Sequence, residues 1–169
     1  VLEEQPQITS PQNAVTQVAD GSVDFEGVSF KYHADAQEYA LSQVDLYIKA
    51  GQTVGILGGT GSAKSTLVQL IPRLYDATEG TVRVGGRDVR EYDIHALRDA
   101  VGMVLQKNVL FSGTVEENLR WGDAQAEEEQ LWAACRAACA DEFVSEMPGG
   151  LKSDLGQGGV NVSGGQKQR

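Results

Sequence analysis

The chain has 169 residues, and 41% of them are hydrophobic. This length is sufficient for one hydrophobic core and too short for two cores of ordinary size. Its formal net charge of −10 argues against nucleic acid as a partner, because a protein that binds a phosphate backbone needs clustered Lys and Arg. No apolar run is long enough to span a bilayer, so we expect this stretch of chain to be soluble.

A predicted linker and two predicted strands come first. Residues 1–20 contain Pro, Gln and Asn with little hydrophobic periodicity, which predicts a linker. Residues 23–32 alternate between apolar and polar side chains and predict a strand, and the alternation slips at Gly27, which indicates a bulge. A second strand is predicted over residues 44–48.

A glycine-rich loop follows the apolar, strand-like run 53–57 and precedes a helical pattern. The loop and the first helical residues comprise Gly58, Gly59, Thr60, Gly61, Ser62, Ala63, Lys64, Ser65 and Thr66. Glycines allow successive backbone N–H groups to point at phosphate oxygens, and the N-terminus of a helix is positively polarised. Lys64 can reach the β- and γ-phosphates of a nucleoside triphosphate, and the Ser65 hydroxyl can ligate Mg²⁺. The spacing predicts a phosphate-binding loop, with a plain Gly/Ser-rich turn as the alternative.

Ala63 departs from the phosphate-loop pattern, which has a second glycine at this position. A helical backbone there would accommodate alanine at little cost. A positive φ would strain the loop, because the alanine Cβ disfavours the left-handed region. The sequence leaves both conformations open.

The residues after the loop predict further helices and strands. A helix is expected over residues 67–74, a strand over 81–84, and a short helix that Asp93 caps. The apolar run 101–105 predicts a buried strand that ends at Gln106. Strand, loop, helix and strand in this order predict an α/β core.

Helices dominate the predictions for the last third of the chain. Thr114 and Glu117 have the spacing of a capping box, and residues 126–139 form the clearest amphipathic helical pattern. Cys135 and Cys139 share one face of that predicted helix. We expect them to be small buried or half-buried thiols rather than parts of a disulfide framework or a metal site.

A serine followed by two glycines lies near the end of the chain. The run consists of Ser163, Gly164, Gly165 and Gln166, and it predicts a helix start in which Gln166 returns to the cap. Exposed N–H groups there could hold an anion. Taken alone, the run is better explained as an ordinary helix cap.

Together, the two glycine-containing motifs resemble the nucleotide-binding domain of ABC transporters. Residues 162–166, Val-Ser-Gly-Gly-Gln, are similar to the family's Leu-Ser-Gly-Gly-Gln signature, and the resemblance covers residues 21–169. It implies an α/β fold, a P-loop NTPase core of the ABC type with an antiparallel β subdomain and an α-helical subdomain. Residues 21–110 would hold the β subdomain and the P-loop core. Residues 111–169 would hold the helical subdomain and the signature, with the C-terminal part of the core missing.

The resemblance implies ATP and Mg²⁺ as cofactors and gives roles to further residues. Tyr32 would lie against adenine, where a ring face can stack on a base; packing in the core is the alternative. Gln106 would position the attacking water and meet Mg²⁺, so that Ser65 and Gln106 form the implied Mg²⁺ ligands. The signature residues would bind the ATP held by a second such domain; they are Ser163, Gly164, Gly165 and Gln166.

Two loops resemble exporters rather than importers within this family. They are the segments 111–118 and 153–159, and the second has Gln157 where exporters usually have Glu. The resemblance therefore implies an ATP hydrolase that powers export, with a transmembrane domain and a second ATP-binding domain, identical or different, as partners. Residues 1–20 would connect to the transmembrane domain, and the ATP-binding domain would lie at the cytoplasmic face of the cell membrane.

In the family, the Walker B aspartate, the catalytic glutamate and the switch histidine all come later than the signature, which ends at Gln166 here. We therefore expect this stretch to bind ATP but to hydrolyse it very poorly, if at all.

Three alternatives are a soluble ABC-type ATPase not linked to transport, an ATP-binding regulatory module, which Ala63 favours, and an unrelated P-loop kinase or GTPase. The last has no reason to carry the signature.

Overall fold

The computed structural model describes residues 6–169, so the first five positions of the predicted linker lie outside the described residues. The described residues divide into two compact units, one that ends at Gly102 and one that comprises Met103–Arg169. None of the helices between residues 6 and 169 is long and apolar enough to cross a membrane.

The first unit is built on a four-stranded antiparallel sheet. Its strands are β1 (Val23–Phe30), β2 (Leu41–Ile48), β3 (Glu79–Val84) and β4 (Arg87–Asp88), in the spatial order β2-β1-β3-β4. All three pairings are antiparallel. The strands predicted over residues 23–32, 44–48 and 81–84 are therefore confirmed, with slightly different ends.

The bulge predicted at Gly27 is also confirmed. Gly27 has a φ of 55°, and the pairing of β1 with β2 shifts register between Phe25 and Val28. Gly80 on β3 faces this bulge so closely that a Cβ there would lie 2.4 Å from the Gly27 carbonyl oxygen. Glycine at position 80 therefore allows β3 to run directly beside the bulged strand.

Two helices complete the first unit around the core under the sheet. They are α1 (Lys64–Leu70) and α2 (Ile94–Asp99), and a short 3-10 helix lies at Val89–Glu91. The Asp93 carboxylate accepts hydrogen bonds from the backbone N–H groups of His95 and Ala96 in the first turn of α2, so the predicted cap is confirmed. The core comprises Phe25, Val28, Phe30, Leu67, Leu70, Val82, Val84, Val89, Tyr92 and Leu97.

The segment before β1 lies against this unit. The Val15 N–H donates to the carbonyl of Glu91, and Val15 forms a parallel bridge with Tyr92. The Thr9 carbonyl accepts a hydrogen bond of 3.2 Å from the Arg73 guanidinium. These contacts connect the predicted linker to the turn after α1 and to the end of the segment 89–92, which precedes α2.

Two strand predictions are wrong. Residues 53–57 and 101–105 have no regular secondary structure, although both runs are apolar. Leu57 is 96% exposed and Val104 is 70% exposed. A strand needs hydrogen-bonding partners along its edge, and among the described residues no strand pairs with either run. The α/β core expected from these two strands is therefore represented only by the loop and α1.

The second unit is helical. Its helices are α3 (Val115–Leu119), α4 (Glu128–Ala137), α5 (Asp141–Glu146) and α6 (Gly164–Gln168), with a 3-10 helix at Gly150–Lys152. They enclose a separate small core made of Val115, Ala126, Leu131, Cys135, Ala140, Val144, Leu151 and Leu155. The capping box of Thr114 and Glu117 is present at the start of α3, as predicted.

The helix predicted over residues 126–139 is confirmed in its centre as α4, but it is shorter than expected. Cys135 is buried inside α4, whereas Cys139 lies past its end, exposed and with a φ of 54°. The two thiols therefore do not share a helical face, and the expectation of two buried or half-buried thiols holds for Cys135 alone.

Candidate functional site

The glycine-rich loop folds around the ammonium group of Lys64. Lys64 Nζ donates hydrogen bonds to the carbonyl oxygens of Gly58 at 2.7 Å and Gly59 at 2.8 Å, and to Ser62 Oγ at 3.1 Å. The Ser62 hydroxyl in turn donates to the Gly59 carbonyl at 2.9 Å. A Cβ at position 58 would lie 2.4 Å from Ser62 Oγ, so only glycine fits there without a rearrangement. The loop thus holds a cation at its centre through its own backbone.

Ala63 adopts the strained one of the two conformations that the sequence leaves open. Its φ is 56° and its ψ is 21°, in the left-handed region, immediately before α1. Gly61 has a φ of 84° and is open on the side where a side chain would project. Two positive φ values within three residues turn the loop sharply enough to pass around the Lys64 ammonium.

Ser65 and Thr66 lie in the first turn of α1 and face different surroundings. Ser65 is exposed, so its hydroxyl is available to a cation outside the loop. Thr66 is buried, and its hydroxyl shares a hydrogen bond with the Tyr32 hydroxyl, with 2.7 Å between the two oxygens. The first turn of α1 therefore offers one free oxygen and one that is bound to an aromatic side chain.

Tyr32 lies just after β1, beside α1, and is 50% exposed. The structure therefore brings together the aromatic residue and the glycine-rich loop, which are separated in the sequence. The alternative considered from the sequence was packing of Tyr32 in the core. A side chain that is half exposed to solvent is not a core residue. An exposed ring beside a cationic loop can stack on a planar ligand while the loop holds an anionic group.

Tyr75 is a neighbour of Tyr32 that sequence reasoning missed. Its ring centroid lies 5.4 Å from that of Tyr32, with the two planes at 88°. The buried ring of Phe30 also lies edge-to-face with Tyr32, at 4.9 Å and 81°. The sequence signal that could have identified Tyr75 is an aromatic residue in the turn directly after α1, the helix that follows the glycine-rich loop.

The second unit holds the remaining predicted site residues. Gln106 is exposed and lies in an irregular segment rather than at the end of a strand. Ser163 caps α6: its hydroxyl accepts from the Gln166 N–H at 3.3 Å, and the Gln166 side chain accepts from the Ser163 N–H at 2.8 Å. Gly164 and Gly165 are exposed, with open space where a side chain would be. The predicted return of Gln166 to the cap is confirmed.

Two exposed aromatic rings stack on each other in the second unit. Phe111 and Trp121 have ring centroids 4.7 Å apart and planes at 23°, and Trp121 is 73% exposed. Asn118 fixes the loop that carries Phe111, because its amide both accepts from the Phe111 N–H and donates to the Phe111 carbonyl. Adjacent exposed aromatic rings of this kind occur at contact sites for other protein segments.

An apolar cavity of about 340 Å³ also lies in the second unit. Its lining includes Leu110, Leu119, Phe143, Val144 and Val162. Apolar side chains make up most of this lining, and the polar and charged residues Asn118, Gln166, Lys167 and Arg169 complete it. The mostly apolar lining distinguishes this cavity from the glycine-rich loop around Lys64 in the first unit.

Comparison with known proteins assigns the chain to one family. The profile of the family described as "ABC transporter" matches residues 41–169. A multidrug efflux ATP-binding/permease protein of Mycobacterium tuberculosis (strain ATCC 25618 / H37Rv) is 41% identical over 169 residues, which is 100% of this chain and 14% of that protein. An uncharacterized ABC transporter ATP-binding protein of the same strain is 48% identical over 162 residues, which is 94% of this chain and 27% of that protein.

Among solved structures, a bacterial Atm1-family ABC exporter with ATP bound is similar, with a TM-score of 0.90 and 32% sequence identity. The match covers 98% of this chain and 29% of that exporter chain. The chain therefore spans less than a third of the length of each of these proteins.

Proposed function

Because the chain belongs to the ABC transporter family, we propose that it is the ATP-binding domain of an exporter, in which ATP drives a substrate across a membrane. Its fold is that of an ABC-type P-loop NTPase. The observation that carries the proposal is the loop of residues 58–63 wrapped around the Lys64 ammonium next to the exposed ring of Tyr32. The names of the similar exporters favour this function over the soluble ATPase and the regulatory module.

In the proposed site, the triphosphate of ATP binds at the loop and its base stacks on Tyr32. The Lys64 ammonium is already directed into the loop, so phosphate oxygens can replace the carbonyls of Gly58 and Gly59 as its partners. Tyr32 offers an exposed ring face, which suits a base without hydrogen bonds to its edge. The two ends of the nucleotide would thus be held by different kinds of interaction.

The exposed Ser65 hydroxyl fits an Mg²⁺ site, since Mg²⁺ prefers oxygen ligands and commonly binds together with substrate phosphates. Gln106 is the second proposed Mg²⁺ ligand and the residue that orients the attacking water. When bound, Mg²⁺ would neutralise part of the phosphate charge. The protein's own contribution to phosphoryl transfer would be positioning and charge stabilisation, as in other enzymes of this reaction class.

The proposed partners are a second ATP-binding domain and the transmembrane part of the same transporter. The exposed residues Ser163, Gly164 and Gly165 would contact the γ-phosphate of the ATP on the opposite domain, with Gln166 holding their cap. The stacked rings of Phe111 and Trp121 support docking of the transmembrane part on the segment that follows Gln106. ATP hydrolysis and export, at the cytoplasmic face of the membrane, are proposed for the longer protein rather than for residues 1–169.

Titration of the chain with a fluorescent ATP analogue, with and without Mg²⁺, tests the proposal. We expect saturable binding that Lys64→Ala weakens at least about tenfold, because a charge-assisted hydrogen bond contributes about 1.5–3 kcal/mol. Lys49→Ala is the matched control, since Lys49 is an exposed lysine of the same unit in the turn after β2. If a folded Lys64→Ala chain binds the analogue as tightly as the wild type, the loop is not the phosphate site.

A further inference from the structure

Three aromatic rings form a cluster beside α1, the helix that follows the glycine-rich loop. Tyr32 makes edge-to-face contacts with Phe30 and with Tyr75, at centroid distances of 4.9 Å and 5.4 Å. Phe30 and Tyr75 are themselves 5.4 Å apart, so each ring touches the other two. Phe30 is buried in the core, whereas Tyr32 and Tyr75 reach solvent. The cluster therefore connects the core of the first unit to an exposed ring.

Tyr32 is also held at its far end. Its hydroxyl shares the 2.7 Å hydrogen bond with the hydroxyl of Thr66, which is buried in the first turn of α1. A tyrosine side chain turns about two bonds only, so a contact on the ring and a tether at the hydroxyl together determine its orientation. Phe30 contacts the Tyr32 ring from the core, and Tyr75 contacts the same ring from the side of the solvent.

The backbone that carries Tyr75 is well fixed. Two neighbouring side chains, Arg73 and Asp76, form an ion pair of 2.7 Å, and the Arg73 side chain is buried. The Arg98 guanidinium donates to the carbonyl of Pro72 at 3.2 Å and to that of Arg73 at 2.9 Å. The turn between α1 and β3 is therefore anchored on both sides of Tyr75, so the Tyr75 ring is a stable support and not a loose surface group.

We propose that Tyr75 is a positioning residue for nucleotide binding, which holds the Tyr32 ring in the orientation that stacks on the base. This inference rests on the proposed function, in which Tyr32 binds the base and Lys64 binds the phosphates. Tyr75 acts through Tyr32: it restricts the Tyr32 ring before the nucleotide arrives, so less rotational freedom is lost on binding. Removing the Tyr75 ring should weaken only the part of binding that depends on the base.

The test compares two ligands of the same loop by calorimetry: ATP, which has a base, and inorganic tripolyphosphate, which has none. We expect Tyr75→Leu to weaken ATP binding about 3- to 10-fold and to leave tripolyphosphate binding unchanged, because the lost contact is one aromatic pair. Tyr75→Phe retains the ring and should restore wild-type affinity for ATP. Tyr47→Leu is the matched control, since Tyr47 is a 65% exposed tyrosine on β2 of the same unit.

The outcomes separate this inference from the proposed function. If Tyr32→Ala weakens ATP binding selectively but Tyr75→Leu does not, the positioning role is wrong and base stacking by Tyr32 stands. If Tyr75→Leu weakens both ligands equally, the residue is merely structural and the inference is also wrong. If Tyr32→Ala leaves ATP binding unchanged, base stacking by Tyr32 fails, and the role of Tyr75 fails with it.

A measurement on the unaltered chain covers the case in which Tyr75→Leu does not fold. Tyrosine ring resonances can be assigned by single Tyr→Phe substitutions and followed by nuclear magnetic resonance. ATP should shift the ring signals of both Tyr32 and Tyr75, tripolyphosphate should shift neither, and the Tyr47 signal should not move with either ligand. A Tyr75 signal that stays fixed while ATP shifts Tyr32 would overturn the inference.

Discussion

Replacing Ala63 with glycine would release the backbone strain located in the glycine-rich loop. Ala63 has a φ of 56° and a ψ of 21° directly before α1. This left-handed conformation costs an alanine about 1–2 kcal/mol, a penalty that glycine escapes. Glycine has more freedom in the unfolded chain, which opposes folding by about 0.4–1 kcal/mol. We therefore expect Ala63→Gly to raise the free energy of unfolding by roughly 0.5–1 kcal/mol.

Thermal unfolding followed by circular dichroism measures this difference. For a chain of this size, 1 kcal/mol corresponds to a shift in Tm of about 2–4 °C, so we expect a rise of about 1–4 °C. Ala96→Gly is the control, because Ala96 lies within α2 of the same unit. That substitution should lower stability by about 0.5–1 kcal/mol, since a right-handed helix gives glycine no advantage. An Ala63→Gly chain that melts at or below the wild-type temperature would refute the strain argument.

Two further predictions concern the second unit. Thr114→Ala should lower the free energy of unfolding by about 1 kcal/mol, measured by urea denaturation, because it removes the hydroxyl that accepts from the Glu117 N–H; an unchanged midpoint would contradict this. A thiol reagent should label exposed Cys139 at least about tenfold faster than buried Cys135, as followed by mass spectrometry. Burial raises the pKa of the Cys135 thiol, and the nearby Asp141 carboxylate raises it further. Comparable labelling rates in the folded chain would show that Cys135 is not buried.

Helix starts were predictable because their signals are local. The hydrogen bonds that Asp93 makes to α2 and that Thr114 makes to α3 depend only on residues within one turn of each cap. The same is true of Ser163 and Gln166 at α6. The bulge at Gly27 was predictable for a related reason, because an extra residue in a strand shifts the apolar–polar alternation at that position in the sequence.

Strands were predictable only where a partner strand is present. Residues 53–57 are as apolar as the strands of the sheet, but no described residue pairs with them, and Leu57 is 96% exposed. Residues 101–105 fail for the same reason. Hydrophobic patterns report which side chains favour burial, whereas strand formation depends on backbone partners that the pattern does not contain. The end of α4 was mispredicted for another reason. Cys139 has a left-handed φ, which ends the helix early, although cysteine does not favour that conformation.

The two halves of the candidate site differ in the same way. The proposed phosphate half is local, because Lys64 is held by atoms of Gly58, Gly59 and Ser62, all within six residues of it. The loop therefore closes around the Lys64 ammonium although the run before it forms no strand. The base half is not local, because Tyr32 takes its orientation from a ring after α1 and a hydroxyl within α1. A sequence motif can therefore predict a triphosphate site. In the proposed site, how firmly the base would be held depends on contacts that only the fold brings together, and the comparison of ATP with tripolyphosphate measures that separate contribution.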